Sequence, residues 1–409
     1  MLPNVAQKLL KPRAVLAADN GTDPDLFLTG TDTWISLPST PGIPPYHPDN
    51  VAPPLPVAPT GDSVGRALTT YMFAFRNVRG MDQAQLNNQK GYGEYPAPLF
   101  WIDQYDGNQA SEFKVRLGNL GLQVRPDLID EHTVHFHGLR NVIPFFDGEP
   151  NSSFGIPIAG DFTYVYRIDE PGTYMYHCHV EEVEHIHLGM TGIVFVRPNQ
   201  NGNTSLYPSG KYVYNDGDGS TGYDREFSML LTEIWAEAHW AFSHVQLPEW
   251  SDFKPDFFLL NGRVYPDTIA PHTEYKPYDA LEPKSYIDPV RDVDGYLTPT
   301  SGHEHLVNQP LSSLVTCNAG ERVLLRLANL GFLKQTMALS GIKMEIVGKD
   351  ATPLRGRFGN GPDARYMTSS VAMDAGEAFE AIFEAPPYDA GTAVNDEENR
   401  LHNKYLLYN

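Results

Sequence analysis

The sequence predicts an all-β protein: two tandem sandwiches of short antiparallel strands behind an irregular N-terminal arm. Three observations predict it. The 409 residues include 35 Gly and 34 Pro, which favour frequent turns over long helices. Short segments alternate apolar and polar residues, as half-buried strands do. The pattern then recurs in the second half of the chain, so one sandwich is present twice.

Residues 1–65 are rich in Pro, Gly, Asp and Thr, as in Pro41-Gly-Ile-Pro-Pro45 and Ala52-Pro-Pro-Leu-Pro56, and read as an irregular arm wrapping a neighbour. Residues 66–200 form the first domain. Strands are expected at Tyr71–Phe75, Glu112–Leu117, Phe162–Ile168, Thr173–His177 and, as a buried run, Gly192–Val196. A Gly/Asn/Asp-rich linker covers 201–224. The second domain, 225–409, opens with the strand Glu226–Thr232 and carries a Pro/Asp-rich excursion at about 266–312.

The repeat is legible residue by residue. Arg116-Leu-Gly-Asn-Leu-Gly121 returns as Arg326-Leu-Ala-Asn-Leu-Gly331, and Gly160-Asp-Phe-Thr-Tyr164 as Gly376-Glu-Ala-Phe379. Aligned on Gly138 and Gly341, His132, His135 and His137 become Gln335, Ala338 and Ser340, and Cys178 becomes Asn409. The second domain is therefore expected to lack whatever those side chains hold in the first. Its closing strand is missing from the pattern, so a longer polypeptide or another chain is expected to complete it.

The charge of −21 argues against nucleic acid and anionic membranes as partners. No stretch has the length of a membrane-spanning helix. Two cysteines cannot build a disulfide framework. With Cys178 reserved for a metal, Cys317 is expected to be a small buried residue.

The chemistry is concentrated in two blocks. His132-Thr-Val-His135-Phe-His137-Gly138 and Tyr176-His177-Cys178-His179, with His185 and Met190 behind them, hold six of the 14 histidines. An electron-transfer copper wants two imidazoles and a thiolate with a weak thioether. His132, Cys178, His185 and Met190 supply those groups. On extended backbone His135 and His137 face one way, as do His177 and His179, while Cys178 faces the other. One strand thus offers a thiolate to one copper and imidazoles to a second site.

This combination resembles the multicopper oxidases, laccase-like enzymes built from cupredoxin domains, over roughly residues 65–409. The run His-Cys-His-Val-Glu-Glu-Val-Glu-His is similar to a bacterial manganese- or metal-oxidising branch. The resemblance implies Greek-key cupredoxin domains, type 1 copper on His132, Cys178, His185 and Met190, a type 2 ligand in His135, and type 3 ligands in His137, His177 and His179. It also implies O₂ as oxidant, a phenol or an ion such as Mn²⁺ or Fe²⁺ as reductant, and a periplasmic or extracellular site of work. Only half of a trinuclear cluster is visible, so another domain or subunit is expected to complete it. A type 1 electron carrier without a cluster is the alternative. A copper nitrite reductase is disfavoured, because His135 and His179 stand where that family needs other groups.

Several residues carry two readings. Asp147-Gly148 is either a proton-relaying carboxylate beside the cluster or a β-turn. His187 competes with His185 as a ligand. Glu181, Glu182 and Glu184 either recruit a reduced metal ion through hard oxygens or form a solvated loop. His303 and His305 are a metal pair or an exposed loop, and His239 and His244 read as core or surface histidines.

Overall fold

The computed structural model describes residues 16–18, 24–37, 70–272, 290–356, 361–396 and 399–409. Among them no helix is long and apolar enough to cross a membrane.

The first sandwich has two four-stranded sheets. One runs β2–β1–β4–β6, from β1 (Leu26–Ile35), β2 (Thr70–Asn77), β4 (Phe113–Asn119) and β6 (Asp161–Tyr166). The other runs β3–β8–β7–β5, from β3 (Phe100–Asp103), β5 (His135–His137), β7 (Gly172–His177) and β8 (Thr191–Arg197). In β4, Phe113, Val115 and Leu117 point into the core while Lys114 and Arg116 lie nearer the surface, the alternation expected of a strand with one wet face. Between the sheets pack Leu28, Phe73, Phe100, Val115 and Tyr176, and the same cluster takes in Cys178 and Met190.

The arm expected over 1–65 is corrected by β1. Leu26–Ile35 is buried at all ten positions and sits inside its sheet, antiparallel to β2 and parallel to β4. Its polar residues mislead: Asp32 is fully buried and accepts the backbone N–H of Gln123 and Val124, both at 2.8 Å, and the Tyr71 hydroxyl at 2.9 Å. The Pro41–Pro45 and Ala52–Pro56 stretches lie outside the described residues.

The second sandwich repeats the frame. Here β9 (Arg225–Ile234) pairs antiparallel with β10 (Phe257–Leu260) and parallel with β11 (Arg322–Asn329). Beyond β11 come β12 (Gln335–Leu339), β13 (Met344–Lys349), β14 (Thr352–Pro353), β15 (Tyr366–Thr368), β16 (Ser370–Met373) and β17 (Ala378–Glu384). Short strands β18 (Val394–Asn395), β19 (Leu401–His402) and β20 (Leu407–Tyr408) close the described chain. Glu233 repeats Asp32, accepting the N–H groups of Phe332 and Leu333 at 2.8 and 2.7 Å. Asn119 and Asn329 both accept from the glycine two residues on, at 2.8 and 2.9 Å. Such side-chain acceptors satisfy turn amides that no strand can pair.

The two sandwiches meet along β7. Glu380, wholly buried on β17, accepts the N–H of Thr173 at 2.6 Å and the Tyr214 hydroxyl at 2.8 Å. In the excursion, Asn308 donates to the Trp34 carbonyl and Gln309 accepts the Ser36 N–H, both at 2.9 Å. It is thereby stitched to the end of β1.

Candidate metal centre

Strand β7 ends at His177, and the chain then loops through the helix Glu182–His187 to β8. The loop is closed by Cys178 N–H to the Met190 carbonyl (3.1 Å) and Met190 N–H to the His185 carbonyl (2.8 Å). These bonds bring Cys178, His185 and Met190 onto one short turn. His132 arrives from the segment before β5, its backbone bridged to Ile156. A Cβ on Gly30 would overlap the His132 ring, so the neighbouring strand is bare where the imidazole sits.

His132, Cys178, His185 and Met190 are all fully buried. The Nδ1 atoms of His185 and His132 stand 3.2 and 3.9 Å from the Cys178 sulfur, and the Thr133 N–H points at it from 3.4 Å. Burial alone would raise the Cys178 thiol, but His185 and His132 outweigh it and hold it well below the ordinary thiol value. Burial likewise works against a charged His185, but Cys178 and then Asp130 push it up to about 10. A thiolate-forming cysteine between two imidazole Nδ1 atoms, with a buried methionine in the same cluster, is a donor set that fits a soft, redox-active copper.

On the other face of the strand, pairing sets His135 directly opposite His177 and His137 opposite Met175. The ligand nitrogens of His135, His137 and His177 lie within 4.8 Å of one another. Each of two rings is fixed by a carbonyl: His135 Nδ1 donates to Asp147 O (2.7 Å) and His177 Nδ1 to Cys178 O (2.8 Å). A carbonyl only accepts, so both rings keep Nε2 as the free lone pair for a metal. Burial drops His177 to about 3 and also lowers His137, keeping both neutral as ligation requires. His179 joins the same group of rings. Its ring lies 4.9 Å from that of His135, and its Nε2 is 3.1 Å from Glu182 Oε2.

Asp147 ends the 3-10 turn Pro144–Phe146; it holds His135 through its carbonyl, with its carboxylate 3.5 Å from the same nitrogen. The turn reading and the site reading of Asp147-Gly148 therefore coexist. The three loop glutamates separate. Glu182 turns to His179, Glu184 is half-buried with its carboxyl raised by burial and then by Glu181, and Glu181 joins Asp130 and the His185 ring within 4.8 Å. His185 Nε2 has no hydrogen bond and lies 3.8 Å from Asp130 Oδ2, an ion-pair distance too long for a hydrogen bond. Asp130 was not singled out in the sequence, although it lies two residues before His132.

The remaining histidines lie away from these sites. His187 is buried against His239, Trp250, Phe253 and Phe332, and its Nε2 accepts the Trp235 N–H at 3.2 Å. His239 is core and His244 exposed, while His305 turns to Asp267 at 3.1 Å with the His303 ring 6.2 Å away. Cys317 corrects the expectation of a buried residue: it is exposed, in the polar turn before β11.

Residues 113–201 match the multicopper oxidase family. Over that segment the chain is similar to multicopper oxidases. A tobacco (Nicotiana tabacum) L-ascorbate oxidase is 30% identical over 141 residues, which is 32% of this chain and 20% of that protein, so the match spans about a fifth of that relative. Among solved structures, a blue copper oxidase from Nitrosomonas europaea superposes with a TM-score of 0.50 at 18% identity, covering 88% of this chain and 75% of its own. A copper nitrite reductase from Nitrosomonas europaea gives a TM-score of 0.49 at 15% identity, over 88% and 84% of the two chains. The fold is the cupredoxin-like all-β fold, and copper is the cofactor that the matched family and the donor set imply.

Proposed function

We propose that this chain is the electron-entry half of an O₂-reducing multicopper oxidase, with a trinuclear cluster completed by another domain or subunit. The observation that carries the reading is the buried Cys178 sulfur between the Nδ1 atoms of His185 and His132, one residue from His177 and His179. Bound copper would supply one-electron redox at the Cys178 set and oxygen reduction at the imidazole set. The chain's own part is connection and placement. Cys178 joins the two sites covalently, and the His177 Nδ1–H to Cys178 carbonyl bond adds a second short link. Asp147 and Glu182 put carboxylates beside His135 and His179, where protons bound for reduced oxygen are held. Work in the periplasm or outside the cell goes with this reading, and fractionation tests it.

For the reductant, Asp130 and Glu181 favour a small divalent ion such as Fe²⁺ or Mn²⁺. Hard carboxylate oxygens next to His185 Nε2 would seat such an ion at the edge of the copper ligand. Asp130→Asn with Glu181→Gln should raise KM for the metal ion at least tenfold and leave a phenolic reductant unaffected. Equal effects on both reductants would remove the ion from the proposal. The second reading, a type 1 electron carrier, is favoured by Gln335, Ala338 and Ser340 standing where the second domain would need histidines. O₂ uptake that tracks reductant oxidation separates the two.

A further inference from the structure

The oxidase reading leaves His187 without a task, although it lies two residues from His185 and three from Met190. Resting on the Cys178 copper site of that reading, we infer that His187 is a positioning residue. Through it the second sandwich holds the loop from Cys178 to Met190 in shape. It is not a ligand.

Helical geometry separates the two histidines. Successive residues of an α-helix turn by about 100°, so residues two apart point to nearly opposite faces. On the helix Glu182–His187, His185 meets the Cys178 sulfur while His187 turns away into the second sandwich. There its ring is enclosed by His239, Trp250, Phe253 and Phe332, with ring centres 5.0–5.5 Å away. Its Nε2 accepts the Trp235 N–H at 3.2 Å. That lone pair is taken, and an apolar replacement would strand a buried amide.

The helix depends on such an outside hold. It is six residues long, has no side-chain N-cap, and opens at Glu181 with φ 45°. A helix that short does not persist without packing. The first sandwich secures the loop just after His187. Phe73 N–H donates to the Leu188 carbonyl at 2.8 Å, and Gly189 abuts the Phe73 carbonyl, where a Cβ would come within 2.6 Å. His187 is the matching hold from the opposite side, so both sandwiches pin the segment that carries His185 and Met190. The second sandwich also backs the site directly. Its Phe242 packs on Phe73 with ring centres 5.8 Å apart, and the Phe73 ring meets that of His185 at 5.4 Å. Groups that orient ligands from outside the donor set tune metal affinity and electronic structure.

The test compares His187→Leu, which fills the aromatic box but accepts no hydrogen bond, with His187→Gln, whose amide oxygen can reach the Trp235 N–H. Leu325→Ala, in the core of the second sandwich, controls for general destabilisation. In metal-free protein, hydrogen exchange of the loop-closing Cys178 and Met190 amides should quicken roughly tenfold in His187→Leu and stay near the parent rate in His187→Gln. Titrated with Cu²⁺, His187→Leu should bind at the thiolate roughly tenfold more weakly, with a shifted blue band and wider hyperfine splitting. His187→Gln should restore both. Parent-like exchange and an unchanged blue band in His187→Leu overturn the assignment, as does an equal disturbance in Leu325→Ala. Complete loss of the blue band in both His187 variants, with native circular dichroism, would make His187 a ligand and overturn it too. Failure of the parent to consume O₂ would sink the oxidase reading and leave the positioning role standing.

Discussion

The two sandwiches share a frame and differ in what is mounted on it. Both pair their first strand parallel to a later one, both bury an acid that caps two turn amides, and both use an asparagine to cap a glycine. Even the register is kept: His135 faces His177 in the first, and Ala338 faces Tyr408 in the second. At the positions that correspond to Cys178 and His132, Asn409 donates to Gln335 at 2.8 Å. The fold thus depends on side chains that satisfy backbone, whereas the metal depends on residues of one sheet face that can be exchanged without disturbing the ladder.

The sharpest way to break this comparison is Cys178→Ser. It should abolish the blue absorption of the copper-loaded protein while far-ultraviolet circular dichroism stays native; a surviving band would show that the metal chemistry does not reside in the first sandwich. Next come the buried acids. Asp32→Ala strands two amides and a tyrosine hydroxyl and should cost about 3–5 kcal/mol, against about 2–4 for Glu233→Ala, which strands two amides. Urea melts that rank them the other way would refute the equivalence.

Acid should act where the halves touch. His239, on the helix Ala236–Ser243 of the second unit, donates from Nδ1 to the Tyr71 carbonyl of β2 at 2.6 Å, and burial lowers it to about 4. It is neutral when folded, whereas the unfolded chain takes a proton near pH 6.5. Stability is therefore full above about 6.5 and falls as pH drops toward 4, by roughly 3 kcal/mol at the end of that window. His239→Gln should flatten this part of the pH–stability curve, and a slope identical to the parent's would exclude His239 as its source.

A constructive change sharpens the comparison further. Ala338→His with Tyr408→His recreates the opposed imidazole pair in the second sandwich. Zn²⁺ at 100 times its Kd should then stabilise the protein by about 2.7 kcal/mol, read as a zinc-dependent shift in Tm absent from the parent. The smallest effect is expected at Cys317, where Ser should change stability by less than about 0.5 kcal/mol and leave the blue band alone, because the side chain is exposed.

Much of this was legible in residue order. The alternation at Glu112–Leu117, the histidine blocks and the differences at Gln335, Ala338, Ser340 and Asn409 follow from spacing, and the strands expected at Glu112–Leu117, Phe162–Ile168, Thr173–His177 and Gly192–Val196 overlap β4, β6, β7 and β8. Strand β1 was hidden because Thr29, Thr31, Asp32 and Thr33 read as surface while all are buried. The signal was available in the repeat, since Asp32 stands where Glu233 does. Cys317 misled in the opposite direction, by residue type, when its neighbours Thr316 and Asn318 were polar. Asp130, and the splitting of the three glutamates between two copper faces, depend on how the loop turns at Glu181, held at φ 45°. No periodicity encodes that turn.

The clip between Glu380 and the Thr173 amide gives the second sandwich a mechanical duty. Thr173 lies near the start of the strand that ends in His177, so the carboxylate anchors the far end of the segment that leads into His177, Cys178 and His179. The second sandwich thereby braces the strand on which its neighbour's donor set is hung.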